Sequence, residues 1–153
     1  AGPGIGRGTS QSLVTNVDIA PTVMNLFGLP CPGEWQGAAL APVLEAPDAA
    51  GKVRNELVIS HAVYCAQRAL IRERYKLIKT YRTSGETKLE LYDLHEDPYE
   101  QQDLAKSQPS LTREMAQTLD QWIGKMLRGR PDPVLERLDD PSWFEASFAQ
   151  RSS

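Results

Sequence analysis

Between Leu57 and Leu94 the chain holds four segments rich in β-formers, LVISHAVY, QRALIRE, YKLIKTYR and KLELYDL, divided by short charged or glycine-containing stretches. Branched and aromatic side chains of this kind suit a pleated, half-buried surface. A parallel crossover needs a dozen or more residues, and none of these connections has them, so the segments predict an antiparallel meander. Glu73 and Arg74 read as a tight hairpin turn, and Thr83 to Thr87, with Gly85, as a looser one. Such a sheet needs a cover for its apolar face. Leu111, Met115, Leu119, Trp122 and Met126 recur at steps of three and four, which predicts an amphipathic helix from Pro109 to Leu127. The fold class is therefore α+β, an antiparallel sheet of about four strands packed by one long C-terminal helix.

The residues before the meander read differently. AGPGIGRG has four glycines in eight residues and fits neither dinucleotide nor phosphate glycine loops, so it predicts an irregular connection. Asp18 offers an N-cap acceptor ahead of Ile19, Val23, Leu26 and Phe27 at helical spacing, and Gly28 suits a helix end, giving a short helix over 18–27. Pro21 is tolerated in a first turn, where N–H groups have no intrahelical acceptor. Pro30 to Gly51, rich in proline and glycine, predicts a long loop with at most a helical turn near Ala39 to Leu44. Three regions result: 1–51, 52–130 holding the meander and helix, and a tail over 131–153 with Trp143, Phe144 and Phe148.

A length of 153 residues suits one independently packed core, and 41% hydrophobic with 24% charged residues argues against disorder. The formal charge of -3, with acidic and basic residues interspersed, gives no basic face for nucleic acid. No apolar run is long enough to span a bilayer. Cys31 and Cys65 have no C-x-x-C spacing and are read as free thiols.

Three phrases carry a resemblance. VDIAPTVMNLFGLPCP at Val17 to Pro32, RALIRERYK at Arg68 to Lys76 and LYDLHEDPYE at Leu91 to Glu100 stand in the order found in the C-terminal part of type I sulfatases, the formylglycine-dependent branch of the alkaline-phosphatase-like enzymes. The resemblance covers about residues 1–127 and implies hydrolysis of a sulfate ester or sulfamate. It implies formylglycine and a divalent cation, usually calcium, both held by residues upstream of the first phrase. Residues 1–51 would then be a remnant of the large α/β domain, with the missing N-terminal sulfatase domain as partner and reduced order when that domain is absent.

The chain itself offers no catalytic or metal-ligating set. Cys31 is followed by Gly33 and Trp35 where the formylglycine motif C-x-[PA]-x-R needs Pro or Ala and then Arg, and Cys65, followed by Gln67 and Ala69, also fails. Asp93, Asp97 and Glu100 do not have calcium-loop spacing and read as turn-setting residues, and His95 reads as an exposed loop residue. The resemblance implies a role in closing one side of the substrate pocket, with contacts to the non-sulfate part of the substrate. His61 near the end of its strand is the first candidate. Arg68 and Lys76 are cations that could orient an anionic substrate, and Trp35 is a stacking surface in the long loop.

Two alternatives stay open. A phosphonate monoester or phosphodiester hydrolase of the same superfamily could share this tail. A non-catalytic module that self-associates into a homo-oligomer through Trp143, Phe144 and Phe148 belongs to a different class.

Overall fold

The computed structural model describes residues 4–47, 52–61 and 66–136. The element order is a 3₁₀ turn at Asn16–Asp18, then α1 (Ile19–Leu26), α2 (Ala41–Glu45), β1 (Glu56–His61), β2 (Gln67–Arg72), β3 (Tyr75–Tyr81), β4 (Thr87–Asp93), α3 (Pro109–Leu127) and α4 (Pro133–Glu136). The chain divides into two compact units, Ala1–Leu57 and Val58–Ser153. Among the described residues, no helix is long and apolar enough to cross a membrane.

The second unit is the expected α+β arrangement. Its sheet has the order β1-β2-β3-β4, so each strand lies beside its neighbour in sequence, as short connections require. Leu70 pairs with Leu77 and Leu77 with Leu91, which stacks three leucines across adjacent strands on one face. Those three, with Met115 and Leu119 of α3, are fully buried and form the centre of the core. Each such side chain contributes about 1.5–3 kcal/mol of burial. Ion pairs from Arg72 to Glu114 and from Lys79 to Asp120 fix α3 over this same face, with N–O distances of 2.8 Å and 2.6 Å.

The turns follow from local chemistry. Glu73 has φ of 54° at the first central position of the two-residue β2–β3 turn, where a type II′ turn demands positive φ and glycine is preferred. Gly85, at φ of 83°, closes the looser β3–β4 turn, in which Arg82 donates its N–H to Glu86. α3 opens with Pro109 in its first turn, where the missing N–H costs nothing, and ends at Arg128 in the left-handed region.

The first unit has the expected helices with shifted bounds and a different role for Asp18. α1 begins at Ile19 and has no side-chain cap bond, because Asp18 completes the preceding 3₁₀ turn. Its carboxylate instead bonds Thr15, Ala38 and Arg54. The helical turn expected near Ala39 to Leu44 is α2, one or two residues later. Trp143, Phe144, Phe148 and Cys65 lie outside the described residues.

Candidate functional site

In the first unit, the phrase Val17 to Pro32 is a folding device. Asp18 is fully buried, and its carboxylate accepts the N–H of Thr15 at 2.8 Å, the N–H of Ala38 at 2.9 Å and the guanidinium of Arg54 at 2.5 Å. Thr22 donates its hydroxyl to the Asp18 carbonyl at 2.6 Å and accepts the N–H of Leu40 at 2.9 Å. The Asp and Thr of the phrase thus hold the backbone at Ala38 and Leu40, which has no sheet or helix to satisfy it. Gly37 completes this close approach, since a Cβ there would lie 2.0 Å from the Val17 carbonyl oxygen and 2.9 Å from Pro21 Cγ. Burial pushes the Asp18 pKa up, but the bonds from Arg54, Ala38 and Thr15 together hold it below its ordinary value. Cys31 is an exposed free thiol, and Trp35 is 43% exposed in the loop leading to Gly37.

In the second unit, LYDLHEDPYE builds an acidic turn whose carboxylates are all engaged with backbone or cations. Asp93 bonds Arg74 and accepts the N–H groups of His95 at 3.1 Å and Glu96 at 3.3 Å. The Arg74 guanidinium first, and then those two N–H groups, keep the Asp93 carboxyl below its usual range. Asp97 accepts from Gln101 at 2.7 Å and Gln102 at 2.8 Å. Glu100, at φ of 56°, grips the Lys76 ammonium with both oxygens at 2.6 Å and 2.8 Å. Asp103 accepts the Leu91 N–H at 3.0 Å, and Leu104 donates to the Leu91 carbonyl at 2.7 Å, so the loop after the phrase covers the edge of β4. Burial, helped by the Glu90 charge and hydrogen bond, pushes the Tyr92 hydroxyl up to about 12.

The four residues proposed from sequence have separate settings. Arg68 is 4% exposed and forms a two-pronged pair with Asp132 at 2.7 Å and 2.5 Å, its guanidinium 5.8 Å from the centre of the Tyr81 ring. Burial lowers the Arg68 pKa, but Asp132 and Tyr81 outweigh it and the net direction is up; Asp132 is correspondingly held down, first by Arg68. Lys76 pairs across from Ile71 whereas Arg68 pairs across from Lys79, so the two cations point to opposite faces of the sheet. His61 is exposed at the end of β1. Trp35 belongs to the other unit.

Three partners escaped sequence reading: Arg54 for Asp18, Arg74 for Asp93 and Asp132 for Arg68. Only Asp132 left a local signal, an acidic side chain directly before Pro133, which is the pattern of a helix start. Among the described residues, no group of three or more His, Cys, Asp or Glu side chains could hold a metal ion.

The family model for the C-terminal part of N-sulphoglucosamine sulphohydrolase matches residues 4–126. The chain belongs to this sulfatase C-terminal family. It is 32% identical over 130 residues to an N-acetylglucosamine-6-O-sulfatase of Bacteroides thetaiotaomicron, covering 74% of this chain and 22% of that protein. It is 33% identical over 136 residues to a Delta 4,5-hexuronate-2-O-sulfatase of the same organism, covering 80% of this chain and 27% of that protein. A solved structure in complex with its substrate D-glucosamine-2-N,6-O-disulfate superimposes with a TM-score of 0.68 at 27% identity, covering 82% of this chain and 27% of the other. The chain is thus a sulfatase C-terminal domain spanning about a quarter of the length of these relatives, as the three phrases implied.

Proposed function

We propose that this domain closes one side of the pocket of an enzyme that hydrolyses a sulfate ester or sulfamate on a sugar, and that it is catalytically inert alone. The observation that carries this reading is the family match over residues 4–126, with named relatives that act on sulfated sugars. The inertness follows from the donor set. Cys31 lacks the formylglycine motif around it, and the carboxylates of Asp18, Asp93, Asp97, Glu100 and Asp132 are engaged by backbone N–H groups and cations. Among the described residues no group of three His, Cys, Asp or Glu side chains could hold the divalent cation, and this reading assigns the nucleophile and the cation to the catalytic partner domain.

What this chain supplies is recognition of the non-sulfate part of the substrate. Trp35 presents a partly exposed indole suited to the apolar face of a sugar ring. His61 offers ring nitrogens at a strand end, and Lys76, 21% exposed at its side chain, offers a cation already oriented by Glu100. Arg68 lies on the opposite face of the sheet from Lys76, its guanidinium engaged by Asp132, and is the weakest of the four candidates.

The test is steady-state hydrolysis of glucosamine 6-sulfate, N-sulfoglucosamine and a phenylphosphonate ester by the full gene product. Sulfate release is expected, and Trp35→Ala or His61→Ala should raise KM severalfold with kcat nearly unchanged, the signature of lost uniform binding. Turnover of the phosphonate ester alone would transfer the reading to the phosphorus branch. An unchanged KM in both variants would remove these residues from the pocket.

A further inference from the structure

The segment after α3 is attached in an unusual way. Arg128 and Gly129, at φ of 51° and 77°, reverse the chain at the end of the helix. Asp132 then meets Arg68 of β2 with both oxygens, 64 residues away in sequence, with side chains only 5% and 9% exposed. The same aspartate organises α4, since its Oδ1 accepts the Val134 N–H at 3.0 Å and its carbonyl accepts those of Leu135 at 2.9 Å and Glu136 at 3.0 Å. Val134 is 7% exposed, while Pro133, Leu135 and Glu136 are exposed. Among the described residues, the segment's buried anchors are this ion pair and Val134.

We propose that residues 129–136 form a strap, latched to β2 by the Arg68–Asp132 ion pair, that opens as a unit while the sheet and α3 stay folded. The core beneath is built from Leu70, Leu77, Leu91, Met115 and Leu119, none of which belongs to the strap. Cooperative opening units follow the density of buried contacts, and among the described residues the strap contributes one buried apolar side chain, Val134, against the five of the core. A buried pair makes the opening all-or-none, because half-release leaves one charge uncompensated. Tyr81 lies on β3 rather than on the strap, its ring 5.8 Å from the Arg68 guanidinium in the latched state, so opening exchanges Asp132 for water without removing that neighbour. Leu135 also forms one wall of a cleft of 260 Å³ whose other walls are Tyr81, Arg82, Thr83 and the β3–β4 turn, so release removes that wall.

Hydrogen exchange read by mass spectrometry tests this on the whole chain at neutral pH. The peptide covering 132–136 should exchange at least ~100-fold faster than peptides containing Leu77 and Leu91, the mark of a separate opening unit. Asp132→Asn and Arg68→Met should each speed the strap by roughly another tenfold or more and leave core rates within about twofold. Strap and core exchanging together in the unaltered protein would overturn the proposal, a result that needs no variant to fold. An equal acceleration of strap and core in both variants would overturn it too. The outcome does not depend on which substrate the pocket takes.

Discussion

Replacing Asp18 with alanine is predicted to release the loop at Ala38 to Leu40 at a cost of about 3–4 kcal/mol. Breaking a buried ion pair by removing one partner costs roughly 3–5 kcal/mol. Here the Arg54 side chain is 18% exposed and can turn toward water, which reduces its share below that range, to about 2 kcal/mol. The N–H groups of Thr15 and Ala38 lose a charged acceptor, and each adds about 0.5–1 kcal/mol if water partly replaces it. At 1.4 kcal/mol per decade, the open population should rise by about one hundred to several hundredfold. Amide exchange at Ala38 and Leu40 reads this directly, and Trp35, 43% exposed nearby in sequence, reports it by fluorescence. Asp18→Asn keeps one acceptor oxygen and should lose less. The pH dependence has a definite sign. The folded carboxyl titrates below its ordinary 3.8 despite burial, because Arg54, Ala38 and Thr15 bond its charged form. Its contribution is complete above the ordinary value of 3.8 and is lost as pH falls from there through the lower folded value, so this loop should open only on acidification past that folded value. A loss under about 1 kcal/mol in Asp18→Ala, with Ala38 and Leu40 protected as before, would refute the reasoning.

Leu77→Ala removes a fully buried side chain between Leu70, Leu91 and α3, and should cost about 2–5 kcal/mol in urea unfolding followed by circular dichroism. Gly37→Ala places a methyl group 2.0 Å from the Val17 carbonyl oxygen, so the backbone must move; about 1–3 kcal/mol of destabilisation and faster exchange at Ala38 are expected. Glu73→Gly relieves a positive φ of 54°, and the melting temperature should rise slightly, by the equivalent of about 0.5–1 kcal/mol.

The meander and α3 were legible because their signals are local and periodic. Alternating β-formers, a two-residue turn at Glu73 and Arg74, and apolar steps from Leu111 to Leu119 each point to a single geometry. The face α3 would cover was implied as well, since Leu70, Leu77 and Leu91 fall in register. The long-range polar pairs were not legible. Asp18 has the residue type and position of a helix cap, and only the arrival of Ala38 and Arg54 from 20 and 36 residues away shows that its carboxylate is used otherwise. Arg68 carries the same charge whether it faces a substrate or Asp132, and nothing between them in sequence marks the partner. Lys76 and Arg68, grouped in one phrase, separate onto two faces because their register positions differ by an odd number of residues relative to the sheet's alternation.

The central claim is that this domain belongs to a sulfatase and has no chemistry of its own. It is tested most directly by measuring sulfate release from glucosamine 6-sulfate and N-sulfoglucosamine for two samples side by side, the full gene product and residues 1–153 alone. The account predicts release by the full product and none by the isolated domain. Sulfate release by residues 1–153, or hydrolysis of only a phosphonate ester by the full product, would contradict it.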